Sequence, residues 1–159
     1  MSGADKDDYP TCHRTVATLR VYSGSVSPAE VTRILDLQPT HTQVTGGMIT
    51  RRIRAFTCPT SGWFLSSTEH VQSFDASKHL RWLLDRLQGR ESKLLELKDA
   101  GFQVDVVCYW ESEFGDGGPE VSPEIARQLA AFKLPLRFDV YFGAAFEWVR
   151  EVKAGYGTN

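Results

Sequence analysis

The sequence contains few cysteines and little excess charge, and each shortage excludes a class of protein. Its three cysteines are an odd number without a Cys-x-x-Cys pair, so we expect neither a disulfide framework nor a standard zinc site. The formal net charge of -2 argues against a general nucleic-acid binder, which is usually clearly basic. We therefore expect no nucleic-acid partner, no metal and no cofactor.

Long apolar runs and a leader segment are also missing. No apolar run approaches the roughly 20 residues that a membrane-spanning helix needs. Residues 1–10 carry Asp5, Lys6, Asp7 and Asp8, whereas a signal peptide begins with a basic segment followed by an apolar one. These observations predict a cytoplasmic protein with no membrane partner.

Recognisable catalytic motifs are missing too. Ser66 and Ser67 have no nucleophile-elbow pattern around them. The four histidines show neither triad nor metal spacing, and His79, near Trp82, is interpreted as a half-exposed structural residue. The glycine-rich loop at 115–119 is not followed by the Gly-Lys-Ser/Thr of a phosphate loop. We predict no catalytic residues, and an enzyme is the less favoured class.

The clearest pattern that is present lies in residues 102–124, where a strand, a glycine-rich loop and a helix follow one another. The strand is indicated by apolar residues at every second position: Val104, Val106, Cys108 and Trp110. Cys108 is therefore predicted to be buried. After the loop, Ser122-Pro123 has the form of a helix cap followed by a proline in the first turn.

The same order of elements occurs near the start of the chain. Residues 15–22 alternate as a strand, and Ser27-Pro28 then begins a helix. Leucine-rich helices, the first capped by Asp75, join this half to the second, which ends with a strand at 136–142. The pattern predicts an α+β fold: a ferredoxin-like sandwich with a mainly antiparallel sheet and helices on one face.

One domain is expected, because 159 residues suit a single hydrophobic core. We assign residues 15–143 to this domain and residues 1–14 to a loose N-terminal tail. Residues 144–159 are assigned to a C-terminal tail, in which Phe146 and Val149 have the spacing of a short covering helix.

Four segments of the chain together resemble a known family. They are residues 19–24 followed by Ser27-Pro28, residues 62–67, residues 79–84 and residues 108–112. The likeness covers about residues 15–142, and the motifs are specific in combination. On these segments the chain resembles family 4279 of the domains of unknown function, a family of small bacterial proteins. The resemblance implies a bacterial or phage source and a single domain, and it supplies no known activity and no catalytic residues.

The outward faces of the three best strands supply a candidate binding surface. If helices cover the apolar face of the sheet, the opposite face collects tyrosines, arginines and carboxylates. We predict a binding patch formed by this face and the adjoining loop, consisting of Tyr22, Tyr109, Glu111, Ser112, Gly117, Gly118, Asp139 and Tyr141. Two other interpretations stay open: a set of cross-strand pairs that only stabilise the sheet, and a C-terminal tail bearing Phe146, Trp148 and Val149 that folds over this face and occupies it.

The sequence leaves two functions open. The first is a non-catalytic module that binds a protein partner through this patch, because Tyr and Arg are favoured at interfaces. An immunity-type or accessory protein of a bacterial conflict system is a specific form of that function. The alternative is a small-molecule-binding domain or a modest hydrolase that uses carboxylates near Glu111. In either case we expect a monomer or a homodimer.

Overall fold

Within residues 9–51 and 53–142, which a computed structural model describes, the chain forms a five-stranded sheet, a two-stranded hairpin and four helices. In chain order the elements are β1 (Cys12–Gly24), α1 (Pro28–Leu35), β2 (His41–Gln43), β3 (Met48–Arg51), β4 (Arg54–Thr57), β5 (Ser61–Ser66), α2 (Ala76–Leu87), α3 (Glu91–Asp99), β6 (Gln103–Ser112), α4 (Pro123–Ala131) and β7 (Leu136–Phe142). The large sheet has the order β2-β5-β1-β6-β7, and β3 pairs with β4 in the hairpin.

The large sheet is mainly antiparallel, which confirms the predicted α+β class. β7 lies parallel to β6, because α4 carries the chain back along the sheet before β7 begins. The ferredoxin-like arrangement itself is not confirmed, since β1 at the centre pairs antiparallel with both β5 and β6.

The central strand β1 sorts its side chains between the two faces of the sheet. Its odd-numbered residues from 17 to 21 are fully buried, whereas Thr18 and Arg20 between them are partly exposed. This alternation confirms the predicted strand, and a shift of one residue would turn the apolar set to the other face. The strand is longer than predicted, because it begins at Cys12 and so includes residues 12–14 of the predicted tail.

The limits of the domain, 15–143, stay a prediction. The C-terminal tail at 144–159, with its expected covering helix, lies outside the described residues. Just before β1, the ring of Tyr9 packs edge-to-face against Trp110, with 6.5 Å between the ring centroids. The residues that lead into β1 therefore contact β6.

All four helices of the described residues pack on the same face of the large sheet. Each contributes apolar residues to a core that also holds buried side chains of β1, β5 and β6. The largest contribution comes from α2, with Leu80, Leu83, Leu84 and Leu87. Fully burying a leucine side chain contributes about 1.5–3 kcal/mol, so this core dominates stability. None of the helices in this part of the chain has the length and apolar character needed to cross a membrane.

Cys108 is fully buried, as predicted from its place in the alternating pattern. It lies beside Trp110 in a small cluster next to the main core. Removal from water raises the pKa of its thiol to about 11. At neutral pH the thiol is therefore protonated, and it behaves as a small apolar side chain.

Three helices begin at the caps that the sequence predicted. Ser27 accepts a hydrogen bond from the backbone N–H of Ala29, and Ser122 accepts one from Ile125, each at 3.3 Å. Asp75 accepts from the backbone N–H two residues later, at 2.8 Å. In α1 and α4 a proline follows the serine directly, where its missing N–H costs nothing.

We expect Ser122→Ala to lower the free energy of unfolding by about 1 kcal/mol, because the first turn of α4 loses its side-chain acceptor. Urea unfolding followed by circular dichroism measures the change. Ser92→Ala, at an exposed position inside α3, is the matched control and is expected to change stability by less than about 0.5 kcal/mol. Equal effects of the two substitutions would contradict the assigned cap.

Candidate binding surface on the sheet face opposite the helices

The face of the large sheet opposite the helices is the candidate functional surface, and we call it the open face. The strand registers place residues of all five strands on it. They are His41 of β2, Phe64 and Ser66 of β5, Val16, Thr18, Arg20 and Tyr22 of β1, Asp105, Val107, Tyr109 and Glu111 of β6, and Arg137, Asp139 and Tyr141 of β7. These positions alternate with the core positions along each strand, so polar side chains are tolerated here.

An ion-pair network occupies the centre of the open face. Asp105 is only 3% exposed, and its carboxylate accepts hydrogen bonds from both Arg20 and Arg137. Arg20 donates two of them, at 2.7 and 2.8 Å, and Nε of Arg137 donates the third at 2.9 Å. The contact with Asp105 raises the pKa of Arg20 above its ordinary value. The network links β1, β6 and β7 and holds their side chains in one arrangement.

A row of aromatic rings runs from β1 to the edge strand β2. Tyr22 meets Phe64 edge-to-face with 5.6 Å between ring centroids, and Phe64 stacks on His41 at 5.7 Å. Arg20 lies over the Tyr22 ring, 5.6 Å from its centroid. These four side chains line a groove of about 600 Å3, whose wall also includes Ile49 of the β3–β4 hairpin. The groove therefore offers ring faces and a guanidinium group to a ligand.

A second aromatic pair lies at the other end of the open face. Tyr109 and Tyr141 stack with 5.0 Å between ring centroids, and Arg14 lies over the Tyr109 ring at 5.6 Å. The Tyr109 hydroxyl donates to the Glu111 carboxylate at 2.8 Å. Burial, and next this hydrogen bond to a carboxylate, raises the pKa of Tyr109 to about 12. The phenol is therefore protonated at neutral pH.

Half of the predicted binding residues lie together at this end. Tyr109 pairs with Asp139, and Glu111 pairs with Tyr141, in the register between β6 and β7. Tyr22 lies on the same face as these four residues but outside their patch, contrary to the prediction that it joins them. It pairs with the first residue of β6, about 20 Å along the strand from Tyr109.

The other three predicted residues lie away from the open face, on the side of the helices. Ser112 is 1% exposed, and its hydroxyl bonds to the backbone of the glycine-rich loop. Gly117 has a φ of +80°, and a Cβ at this position would approach the Thr11 side chain to 2.5 Å. The Gly118 carbonyl accepts from the Tyr9 hydroxyl at 2.7 Å. The loop thus anchors the residues before β1 and does not rim the predicted patch.

Sequence reasoning missed three side chains that reach the open face. Phe64 and His41 extend the aromatic row, and Arg14 covers the Tyr109 ring from a position assigned to the tail. A signal for Phe64 exists, because it alternates with Trp63 and Leu65 on the core side of β5. No comparable signal marks the histidine, since β2 is only three residues long.

His79 is buried, which corrects the prediction of a half-exposed residue. Its Nε2 donates to the Ser73 carbonyl at 2.8 Å, and its Nδ1 lies 2.7 Å from Ser67 Oγ. The same Oγ accepts from the backbone N–H of Ala17. The pair has the contacts of a catalytic dyad, but Ser67 is fully buried, so its hydroxyl is not exposed to a substrate. We interpret it as a support for the β1 backbone.

The fold and the surface define a class of protein: an α+β domain with one large sheet, helices on one face of it, and a polar and aromatic face opposite them. The chain belongs to the family described as Domain of unknown function (DUF4279), which it matches over residues 11–143. This match confirms the resemblance seen in the sequence. No curated protein and no solved structure matches the chain. Among the described residues, no group of three or more His, Cys, Asp or Glu is placed to hold a metal ion.

We expect Asp105→Asn to lower the free energy of unfolding by about 2 kcal/mol, because Arg20 and Arg137 lose a charged acceptor. Chemical denaturation measures the loss. Asp139→Asn removes an exposed carboxylate from the same face and is expected to cost less than about 0.5 kcal/mol. A wild-type unfolding midpoint in Asp105→Asn would show that the network does not stabilise the sheet.

The raised pKa of Tyr109 makes stability depend on alkaline pH. The unfolded chain releases this proton near pH 10 and the folded chain near pH 12, so the stabilising contribution is complete below pH 10 and lost as the pH rises to 12. Between about pH 9 and about pH 12, the unfolding temperature of Tyr109→Phe should therefore fall less steeply than that of the wild type. Phe114→Leu, at an exposed position without a titrating group, is the control and should keep the wild-type slope. Parallel curves for the wild type and Tyr109→Phe would refute the environment assigned to this phenol.

Proposed function

We propose that this protein is a non-catalytic interaction module that binds a protein partner through the open face. The proposal rests on the separation of the two faces: the four described helices pack on one side, and tyrosine, arginine and carboxylate side chains line the other. Its specific form is an immunity-type or accessory protein of a bacterial conflict system. A cytoplasmic location belongs to the same proposal, and the three free thiols support it.

The composition of the open face supports a protein ligand. Tyrosine and arginine are enriched among the few residues that carry most of the binding energy of an interface. On this face each tyrosine is already held by a neighbour, Tyr141 by Tyr109 and Tyr22 by Phe64. A side chain that is held in place loses little conformational entropy on binding, so these rings are preorganised as anchors.

The surroundings of Glu111 favour a binding surface over a hydrolytic site. A hydrolase needs a carboxylate that exchanges a proton inside a cleft. Glu111 instead accepts the Tyr109 hydroxyl, and the Glu113 carboxylate lies 2.6 Å from Nδ1 of His13. Glu111 lines neither of the two grooves described in this part of the chain, the one at Arg20 and a smaller one of about 330 Å3 beside His13.

Binding of a small molecule is the second candidate, and the groove at Arg20 favours it. The groove volume of about 600 Å3 falls within the range of roughly 300–1,000 Å3 that is usual for ligand sites. Its lining combines the Arg20 guanidinium with the rings of Tyr22 and Phe64. This groove lies at the opposite end of the open face from Glu111, so it differs from the site that the sequence suggested.

Co-expression with the proteins encoded beside its gene tests the protein-partner proposal. A partner that co-purifies with the tagged chain is then titrated by calorimetry. We expect Tyr141→Ala to weaken binding by about 2 kcal/mol or more, roughly a 30-fold rise in Kd, because an anchoring ring is removed. Phe114→Ala removes an exposed ring directly before the glycine-rich loop and is the matched control, with an unchanged Kd.

Two outcomes of this titration would contradict the proposal. One is wild-type affinity in Tyr141→Ala together with lost affinity in Phe114→Ala, which would move the interface to the loop. The other is an unfolded Tyr141→Ala, which would make the tyrosine pair a structural feature of the sheet. Competition between the partner and a small molecule, lost in Tyr22→Ala, would support the groove at Arg20 as a ligand site.

A further inference from the structure

The two edges of the large sheet differ in how they are protected. At one edge β2 has only three residues, all polar. At the other edge β7 has seven residues, contains no proline, and pairs with β6 without a bulge. Exposed edges are usually protected by short strands, charges, prolines or bulges, because their unpaired N–H and C=O groups accept another strand. In the part of the chain that the structure describes, no strand lies on the outer side of β7.

The apolar side of β7 is exposed as well. Phe138, Val140 and Phe142 are 44%, 45% and 47% exposed, although they continue the row of core residues of β6. No charged residue interrupts this row within β7, because Arg137 and Asp139 lie on the open face. An edge strand with a continuous exposed apolar row is a site where another strand adds to a sheet.

We propose that a second copy of this chain pairs with β7, antiparallel, about a twofold axis between the two Phe138 residues. In this register Leu136 lies opposite Val140 of the second copy, and Arg137 lies opposite Asp139 of the second copy. The pairing joins the two five-stranded sheets into one and keeps the helices of both copies on the same side. Because of the twofold symmetry, each contact occurs twice.

Charge complementarity selects this register. When the pairing is centred on Phe138, each Arg137 faces an Asp139, and opposite charges directly across a pair of strands attract. When it is centred on Asp139, two carboxylates face each other, and such like-charge pairs are destabilising. Among the described contacts Arg137 uses Nε for Asp105, so its terminal guanidinium nitrogens remain for the second copy.

The apolar side selects the same register. A pairing centred on Phe138 sets the two Phe138 rings side by side and covers Val140 with Leu136 on both flanks. These side chains are exposed or half-buried in the single chain, so association removes apolar surface from water in both copies. The strand is therefore complementary to itself on both of its faces.

Sedimentation equilibrium of the full chain tests the association. We expect a dimer, and we expect Asp139→Arg to raise its Kd at least about tenfold, because two pairs of arginines then face each other. Asp99→Arg makes the same change of charge at an exposed position in α3 and should leave the Kd unchanged. A chain that stays monomeric at its highest soluble concentration overturns the proposal.

Disulfide trapping tests the register. In Phe138→Cys the two new thiols lie opposite each other, with about 4.5–5.5 Å between Cα atoms, which is within the usual range for a disulfide, so mild oxidation should give a covalent dimer. Val140→Cys, equally exposed on the same face of β7, lies opposite Leu136 and should give about tenfold less dimer. The three native cysteines are buried and do not compete. Trapping of Val140→Cys in preference to Phe138→Cys overturns the register.

These measurements use no other protein, so their outcome is independent of the proposed function. Failure to dimerise leaves the open face as a candidate surface for a partner. Loss of partner binding in Tyr141→Ala, in turn, does not contradict the β7 pairing, which Asp139→Arg and Phe138→Cys test.

Discussion

The pairing of β1 with antiparallel strands on both sides is the constraint on which the rest of the structure depends. Because its residues alternate between two faces, each side chain of β1 is committed either to the helices or to the open face. Because β5 and β6 pair directly with β1, their side chains alternate between the same two faces. The four described helices pack where the apolar residues are, so within residues 9–51 and 53–142 no helix lies on the polar and aromatic face.

That face contains a carboxylate that would be costly without partners. Asp105 is almost fully buried, and desolvation of an unpaired charge destabilises a folded chain strongly. Hydrogen bonds from two guanidinium groups on neighbouring strands compensate for the free energy that desolvation of this carboxylate costs. The centre of the open face therefore has a structural role, whereas the tyrosines at its two ends are the residues through which we propose that the protein binds a partner.

The sequence predicted features that are encoded within a few neighbouring residues. The alternation of β1 and β6, the caps at Ser27 and Ser122, and the burial of Cys108 all follow from local patterns, and the structure confirms them. Features that depend on pairing between distant segments were not predictable in this way. The parallel placement of β7 and the separation of Tyr22 from Tyr109 arise from registers that leave no local signal.

The glycine-rich loop and His79 are two further cases in which a local sequence pattern does not determine the environment of a residue. Glycines in a loop indicate a special backbone, but the pattern does not tell whether that backbone rims a site or fits against a side chain such as Thr11. A histidine on a helix gives no sign of its burial until the helix is docked. His79 is buried because α2 turns it toward Ser67, a residue twelve positions earlier in the chain.

The central strand β1 is the first of the described strands in the chain, and this affects when the sheet can form during synthesis. Thr15 donates a hydrogen bond to the backbone carbonyl of Tyr109, which is 94 residues further along the chain. The sheet around β1 is therefore completed only after β6 has been synthesised. Contacts of such long sequence separation slow folding, because a long loop must close before they form. Until β6 has been synthesised, one edge of β1 has no strand to pair with, and unpaired strand edges are prone to aggregation.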